Sequence, residues 1–207
     1  MPSLEICGAF FVAALILGIA PGPDNIFVLT QSALYGARAG LATTLGLITG
    51  LCGHTAAVAL GVAALLQTSP LAFSLLKFAG AAYLLYLAWL SFCAGFSTIL
   101  PQQESFPGYA ALYRRGVIMN ITNPKVTLFF LALLPQFANP ARGSMELQIV
   151  IFGLLFQVAT VIVFGTVSLL GNELAKRSGS PRAQIFMNRL AGCVFVALAL
   201  ALLLPDG

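Results

Sequence analysis

Apolar residues run along this chain in six long segments, separated by short stretches in which polar residues, glycine and proline collect. The segments cover residues of about 6–31, 41–66, 70–94, 112–137, 146–171 and 186–204. An α-helix needs about 20 apolar residues to cross the hydrocarbon core of a bilayer, and these segments have that length. A membrane β-strand would alternate apolar and polar positions instead. The pattern predicts an all-α integral membrane protein with six transmembrane helices.

The composition agrees with a membrane location. The 207 residues are 59% hydrophobic and only 8% charged, whereas soluble domains carry about 25% charged residues. We interpret the net charge of +4 as basic loops facing an anionic leaflet, and we expect no nucleic-acid partner. No basic region precedes the first apolar segment, so we expect that segment to remain in the mature protein.

Basic residues are distributed unevenly between the loops. The odd-numbered loops hold Arg38, Arg114, Arg115, Lys176, Arg177, Arg182 and Arg189. The even-numbered loops hold only Arg142. Because cytoplasmic loops carry the excess of lysine and arginine, we expect the odd loops in the cytoplasm and both termini outside.

The first and fourth apolar segments are interrupted near their middles. In the first, Pro21 and Pro23 remove helical hydrogen bonds, and Gly22 between them disfavours a helix. In the fourth, Asn123-Pro124 has the form of a helix start, with asparagine as N-cap and proline at the first helical position. Inside a bilayer such breaks are tolerated only where the freed backbone groups face protein or a wet cavity. Broken helices at equivalent places in two halves are typical of a transporter's binding site.

Three helices in each half would give the two halves opposite orientations in the membrane. The halves can be aligned at a helix break, at a glycine and at a cation–glycine–aromatic pattern: Pro23-Asp24 with Pro124-Lys125, Gly46 with Gly153, and Lys77, Gly80 and Tyr83 with Arg189, Gly192 and Phe195. We therefore predict an inverted 3+3 repeat in one transmembrane domain, 1–207. Repeat 1 covers about 1–94, a linker about 95–111 and repeat 2 about 112–207.

Each break is followed at once by a charge, Asp24 in the first half and Lys125 in the second. Asp24 could simply cap a helix, and Lys125 could extend its side chain to the membrane interface. The functional interpretation is that one fixed anion and one fixed cation complement a zwitterion, such as a small α-amino acid. A cationic amino acid would need a second buried acid, so the sequence favours neutral substrates.

Other chemistry has little support in the sequence. His54, the sole histidine, could form a hydrogen bond to a neighbouring helix or relay protons. One histidine and one buried acid provide too few ligands for a metal ion. Hydrolase, metalloprotease and P-loop motifs are missing, so we expect no enzyme and no cofactor. Gly46, Gly50 and Gly53 have the spacing of a close helix contact.

Three stretches together carry a family resemblance: PGPDNIFVLTQSALYGARAGLATTLGLITGLCGHTAAVALGVAALL at 21–66, LLKFAGAAYLLYLAWL at 75–90 and RGVIMNITNPKVTLFFLALLPQF at 115–137. The chain resembles the LysE/RhtB family of amino-acid exporters. That resemblance implies a six-helix exporter of the bacterial inner membrane, driven by the proton gradient. The family's central motifs fall on Pro21–Asn25 and on Asn123–Lys125. The family exports threonine and homoserine, leucine, cysteine derivatives, or lysine and arginine, so the resemblance does not name the substrate.

The sequence therefore predicts a secondary exporter of small neutral amino acids or close derivatives, working by proton antiport. The predicted substrate-binding residues are Pro21, Gly22, Pro23, Asp24, Asn25, Asn120, Asn123, Pro124 and Lys125. Asp24 is the predicted proton-coupling residue, with His54 as a second candidate. The expected partners are the amino acid, protons and the lipid bilayer, and a homo-oligomer is left open. Export of basic amino acids or another small solute, a passive channel and an assembly subunit remain as alternatives.

Overall fold

The computed structural model describes residues 1–20, 22–68, 70–94, 105–178 and 181–203. These ranges are almost entirely helical and contain no strand, which confirms the predicted all-α class. The helices are α1 (Leu4–Ile19), α2 (Pro23–Tyr35), α3 (Ala37–Thr68), α4 (Pro70–Cys93), α5 (Tyr109–Thr122), α6 (Pro124–Leu128), α7 (Met145–Ser178) and α8 (Pro181–Leu203).

The two predicted breaks separate α1 from α2 and α5 from α6. Gly22 is the N-cap residue of α2 and Pro23 its first residue. At the second break the side chain of Asn123 accepts a hydrogen bond from the Lys125 amide at 3.0 Å, and Pro124 is the first residue of α6. The predicted cap and restart at Asn123-Pro124 are therefore confirmed.

The fourth segment, predicted as helix to residue 137, changes its helical form before its end. α6 stops at Leu128 and continues as a π-helical turn, Phe129–Leu133, and a 3₁₀ turn, Leu134–Phe137. Pro135 has no N–H, and its ring would clash with the carbonyl of Leu131 in a regular α-helix. The change of winding accommodates that proline.

Within the described ranges, two helices are each long and apolar enough to cross a membrane: α3 over Ala37–Gly61 and α7 over Met145–Gly171. Two bent pairs raise the number to four if each counts as one span, with bends of 61° between α1 and α2 and 50° at the break before α6. α4 and α8 contain shorter apolar stretches, Lys77–Cys93 and Asn188–Leu203.

The bundle is built around α3 and α7. α3 packs against α5 and α7, α7 also packs against α1 and α2, and α4 pairs with α8. A Cβ added to Gly46 would lie 2.1 Å from the backbone oxygen of Tyr113, and one added to Gly116 would lie 2.4 Å from that of Thr43. The glycines thus let the backbones of α3 and α5 touch.

The predicted glycine contact extends over only part of α3. A Cβ on Gly50 would meet the side chain of Asn120 at 2.6 Å, but nothing lies within 4 Å of a Cβ on Gly53. The prediction for Gly53 is therefore wrong. α5 ends at Thr122, so its backbone does not continue along α3 to face Gly53.

Six aromatic rings pack together around Phe10 of α1. We call this group the phenylalanine cluster: Phe10, Phe129, Phe130, Phe137, Phe152 and Phe156. The ammonium of Met1 donates a hydrogen bond to the carbonyl of Arg142 in the turn before α7. The amino terminus and predicted loop four therefore lie on the same side of the bundle.

Candidate substrate site

The two helix breaks meet at a small cavity inside the bundle. Its lining comes from α1, the α1–α2 break, α2, α3, α5, the α5–α6 break, α6 and α7: Leu17, Gly18, Gly22, Asp24, Asn25, Leu51, Asn120, Asn123, Lys125, Val126, Phe156, Thr160 and Phe164. The interior volume of about 20 Å³ is enough for a water molecule and too small for an amino acid.

The cavity wall brings together six of the nine residues predicted to bind substrate: Gly22, Asp24, Asn25, Asn120, Asn123 and Lys125. Pro23 and Pro124 are exposed first residues of α2 and α6 and do not line it. Pro21 lies outside the described residues. The prolines thus mark the helix starts, while the polar residues beside them form the wall.

Asp24 is buried at the second position of α2, with 6% of its surface exposed. Its Oδ1 atom has no hydrogen-bond partner. Its carboxyl group has a side-chain hydrogen bond with Asn123 and an electrostatic attraction to the ammonium of Lys125. The N-cap position belongs to Gly22, so Asp24 is not the cap of α2. It stands in the first turn, where the helix dipole favours its negative charge.

Lys125 is also buried, so the predicted extension to the membrane interface is wrong. Its Nζ donates to the carbonyls of Leu17 and Ala20, each at 2.9 Å, and lies 5.6 Å from the ring centre of Phe195. In an uninterrupted helix the Leu17 oxygen would accept from residue 21, a proline with no N–H. The ammonium therefore caps the carboxyl end of α1, where the helix dipole favours a cation.

His54 is placed similarly at the other break, although the carbonyl that it meets there, that of Asn120, already accepts from the backbone N–H of Asn123. Its Nε2 lies 3.2 Å from the carbonyl oxygen of Asn120, whose partner in a continuous helix would be Pro124, again without an N–H. Its ring packs 5.6 Å from that of Phe130, centre to centre. His54 is not part of the cavity wall. The predicted hydrogen bond to a neighbouring helix is therefore confirmed.

Asn120 supplies a second acceptor beside that of Asp24. It is 2% exposed, and its Oδ1 has no hydrogen-bond partner. Since Gly50 allows its side chain to pack directly against α3, the carboxamide is held in place. A buried acceptor left without a donor costs about 1–3 kcal/mol, so this wall of the cavity favours a ligand that brings N–H groups.

One wall of the cavity belongs to α7, which the sequence analysis did not predict. Phe156, Thr160 and Phe164 are spaced four residues apart on one face of α7, and all three line the cavity. Leu17, Gly18, Leu51 and Val126 complete the apolar lining. In the sequence, Thr160 looks no different from Thr166 on the same helix, so only the packing reveals its place.

The polar groups around the cavity can bind an organic ligand by hydrogen bonds and charge. One carboxyl group, three carboxamides and one ammonium surround the space. Among the residues that the structure describes, no group of three or more histidine, cysteine, aspartate or glutamate side chains is placed to hold a metal ion.

Comparison with known proteins places this arrangement in a family of membrane translocators. Residues 15–205 match the family described as LysE type translocator, and the chain belongs to that family. It is 31% identical to a homoserine/homoserine lactone efflux protein of Salmonella typhimurium, over 91% of each chain. It is 27% identical to a leucine efflux protein of Salmonella choleraesuis, over 92% of this chain and 91% of that one. An uncharacterized membrane protein of Vibrio cholerae is 33% identical over 94% of both. No solved structure matches the chain.

Proposed function

We propose that this protein is a secondary exporter of small neutral amino acids or close derivatives in the bacterial inner membrane, working by proton antiport. The observation that carries the proposal is the cavity itself, where two broken helices meet around the buried carboxyl group of Asp24. Family membership supports outward transport, and relatives named for homoserine and leucine efflux support a neutral substrate. Both substrates are α-amino acids with short side chains.

The proposed architecture is an inverted repeat of six spans, with repeat 1 over about 1–94 and repeat 2 over about 112–207. The bent pairs α1–α2 and α5–α6 are then equivalent spans, and each has proline at the start of its second helix. The packing of α3 on α5 and of α7 on α1 has the reciprocity that a two-fold axis in the membrane plane requires. Both termini then face the periplasm, as the basic loops predict.

The cavity is too small for an amino acid, so the bundle must open to bind its substrate. In alternating access it opens to one side of the membrane at a time. Towards the cytoplasm α2, α3 and α7 close tightly, since a Cβ on Gly40 would lie 1.9 Å from Ser32 Oγ, and one on Gly171 would lie 2.3 Å from Ser32 Cβ. Towards the periplasm the phenylalanine cluster fills the bundle. We propose that these two regions part alternately around Asp24.

Proton coupling follows if Asp24 binds one cation at a time. From the cytoplasm the substrate ammonium displaces a proton from the carboxyl group, and after release outside a proton returns. Asp24 is the proposed coupling residue because its carboxyl group is buried in the cavity wall. His54, outside the wall, is the secondary candidate.

The test is efflux from proteoliposomes preloaded with single labelled amino acids, with and without an inward proton gradient. We expect gradient-stimulated efflux of leucine, homoserine or threonine and little efflux of lysine. Asp24→Asn should keep the shape of the site but lose the stimulation. An Asp24→Asn carrier that still responds to the gradient would remove Asp24 from the coupling mechanism.

The alternatives give different results in the same assay. A passive channel would release solute without gradient stimulation and without dependence on Asp24. Efflux of lysine in preference to leucine would indicate an exporter of basic amino acids. An assembly subunit would give no efflux from the purified chain for any solute.

A further inference from the structure

The polar groups of the cavity wall differ in whether their hydrogen-bonding atoms already have a partner in the protein. Among the described residues that line the cavity, two have a buried side-chain atom without a hydrogen-bond partner, and both atoms are acceptors: Asp24 Oδ1 and Asn120 Oδ1. They belong to side chains that are 6% and 2% exposed. They lie on different elements, α2 and α5, in two residues that line the same cavity.

Three donor atoms of the same wall already have acceptors in the protein. Lys125 Nζ donates to Leu17 and Ala20, and the amide of Lys125 donates to the side chain of Asn123. Asn25 Nδ2 donates to the carbonyl of Gly18 at 2.7 Å. The ammonium of Lys125 carries three N–H groups, and two of them are bonded to backbone carbonyls. A substrate carboxylate could therefore take only the third without displacing a carbonyl.

The start of α2 offers no better place for an anion. Its N-cap residue, Gly22, makes no side-chain cap bond, so backbone amides there lack a side-chain acceptor. However, the carboxyl group of Asp24 stands in the first turn of the same helix and already complements the positive end of the helix dipole. A second carboxylate would lie against the first.

We infer that the site recognises its substrate by the ammonium group and that the carboxylate contributes little. This inference rests on the proposed function and narrows it: the ligand class becomes short-chain primary amines, including amino-acid amides and esters. An alkyl ammonium carries three N–H donors, which can satisfy Asp24 Oδ1 and Asn120 Oδ1 together. Lys125 is then a positioning residue that holds the end of α1.

The test is displacement of labelled leucine or labelled homoserine from the purified full chain at neutral pH, using three unlabelled compounds. Leucine has both charges, leucinamide keeps only the ammonium, and N-acetylleucine keeps only the carboxylate. We expect leucinamide to displace the label within tenfold of the leucine concentration that does so, and N-acetylleucine to require more than a hundredfold. Leucinamide weaker than leucine by more than tenfold, or N-acetylleucine within a hundredfold of leucine, would overturn the inference.

Lys125→Met provides a readout that a loss of stability does not imitate. If the carboxylate bound Lys125, this change would weaken leucine binding and spare leucinamide. We expect both affinities to change by the same factor, so that their ratio stays within about threefold of the wild-type ratio. A selective loss of leucine binding would show that Lys125 is a carboxylate ligand.

The inference and the proposed function can fail separately. Binding of labelled leucinamide without any binding of leucine or homoserine would contradict the proposed amino-acid export but agree with recognition through the ammonium group. Binding of leucine that leucinamide cannot displace would contradict recognition through the ammonium group but agree with the proposed exporter function. Binding of neither compound would overturn both.

Discussion

The ammonium of Lys125 donates a 2.9 Å hydrogen bond to the carbonyl of Leu17, 108 residues earlier in the chain. This oxygen is the one that the proline at position 21 cannot serve. A side chain from the second half thus completes the hydrogen bonding of a broken helix in the first half. Lys125, which follows the second break, therefore stabilises the end of α1 at the first break.

Removing this donor should destabilise the protein. In Lys125→Met the carbonyls of Leu17 and Ala20 lose a buried partner, which we expect to cost about 2–4 kcal/mol in total. The measurement is the midpoint of thermal unfolding in detergent. Arg38→Met is the matched control, because Arg38 is exposed at the start of α3 and its loss removes a charge without uncovering a buried carbonyl. Equal midpoints for the two variants would contradict the capping role.

His54 gives a second prediction, which separates hydrogen bonding from titration. Glutamine can donate to the Asn120 carbonyl as His54 Nε2 does, and leucine cannot. We expect His54→Gln to keep both stability and gradient-stimulated efflux, and His54→Leu to lose about 1 kcal/mol of stability. Efflux that continues in His54→Gln but no longer responds to the proton gradient would instead identify His54 as a proton relay.

The parts of the site that could be predicted are those that depend on local chemistry. Proline removes a donor wherever it stands, so both breaks were visible in the sequence, and Asn123-Pro124 could be interpreted as a cap and restart. A charge in an apolar segment is costly enough that Asp24 and Lys125 could be predicted to lie inside the protein, and both are buried.

The parts that could not be predicted depend on distant segments. The partners of Lys125 lie 105 and 108 residues away in the chain, and a sequence offers Asp24 as an equally good acceptor. Which face of α7 lines the cavity depends on how α7 is oriented about its axis where it packs against α1 and α3. The end of the glycine contact at Gly53 depends on where α5 stops, which no residue of α3 encodes.

The glycine contact between α3 and α5 leads to a third prediction. An added methyl group at Gly46 would lie 2.1 Å from a backbone oxygen, and a backbone atom cannot move aside as a flexible side chain can. Gly46→Ala should therefore separate the helices and cost more than about 2 kcal/mol. Gly53→Ala, with nothing within 4 Å, is the matched control and should be neutral or slightly stabilising. Measured unfolding midpoints that rank the two variants in the opposite order would contradict the described packing.

The last prediction concerns side-chain selectivity and rests on Thr160. Seven other threonines of the described helices donate to the carbonyl four residues earlier: Thr43, Thr44, Thr49, Thr55, Thr122, Thr127 and Thr166. Thr160 is 4% exposed and lines the cavity between Phe156 and Phe164, and no such bond forms there in the described structure. Its hydroxyl is therefore available to a hydroxylated substrate side chain.

Replacing that hydroxyl by a methyl group should shift the balance between two substrates without changing the size of the wall. We expect Thr160→Val to lower the ratio of homoserine to leucine efflux by about fivefold to tenfold, the value of one hydrogen bond. Thr166→Val, on the exposed side of α7, should leave the ratio unchanged. Both ratios come from liposomes loaded with the two labelled substrates together, so that differences in protein amount cancel. The same shift in both variants would mean that Thr160 does not contact the substrate.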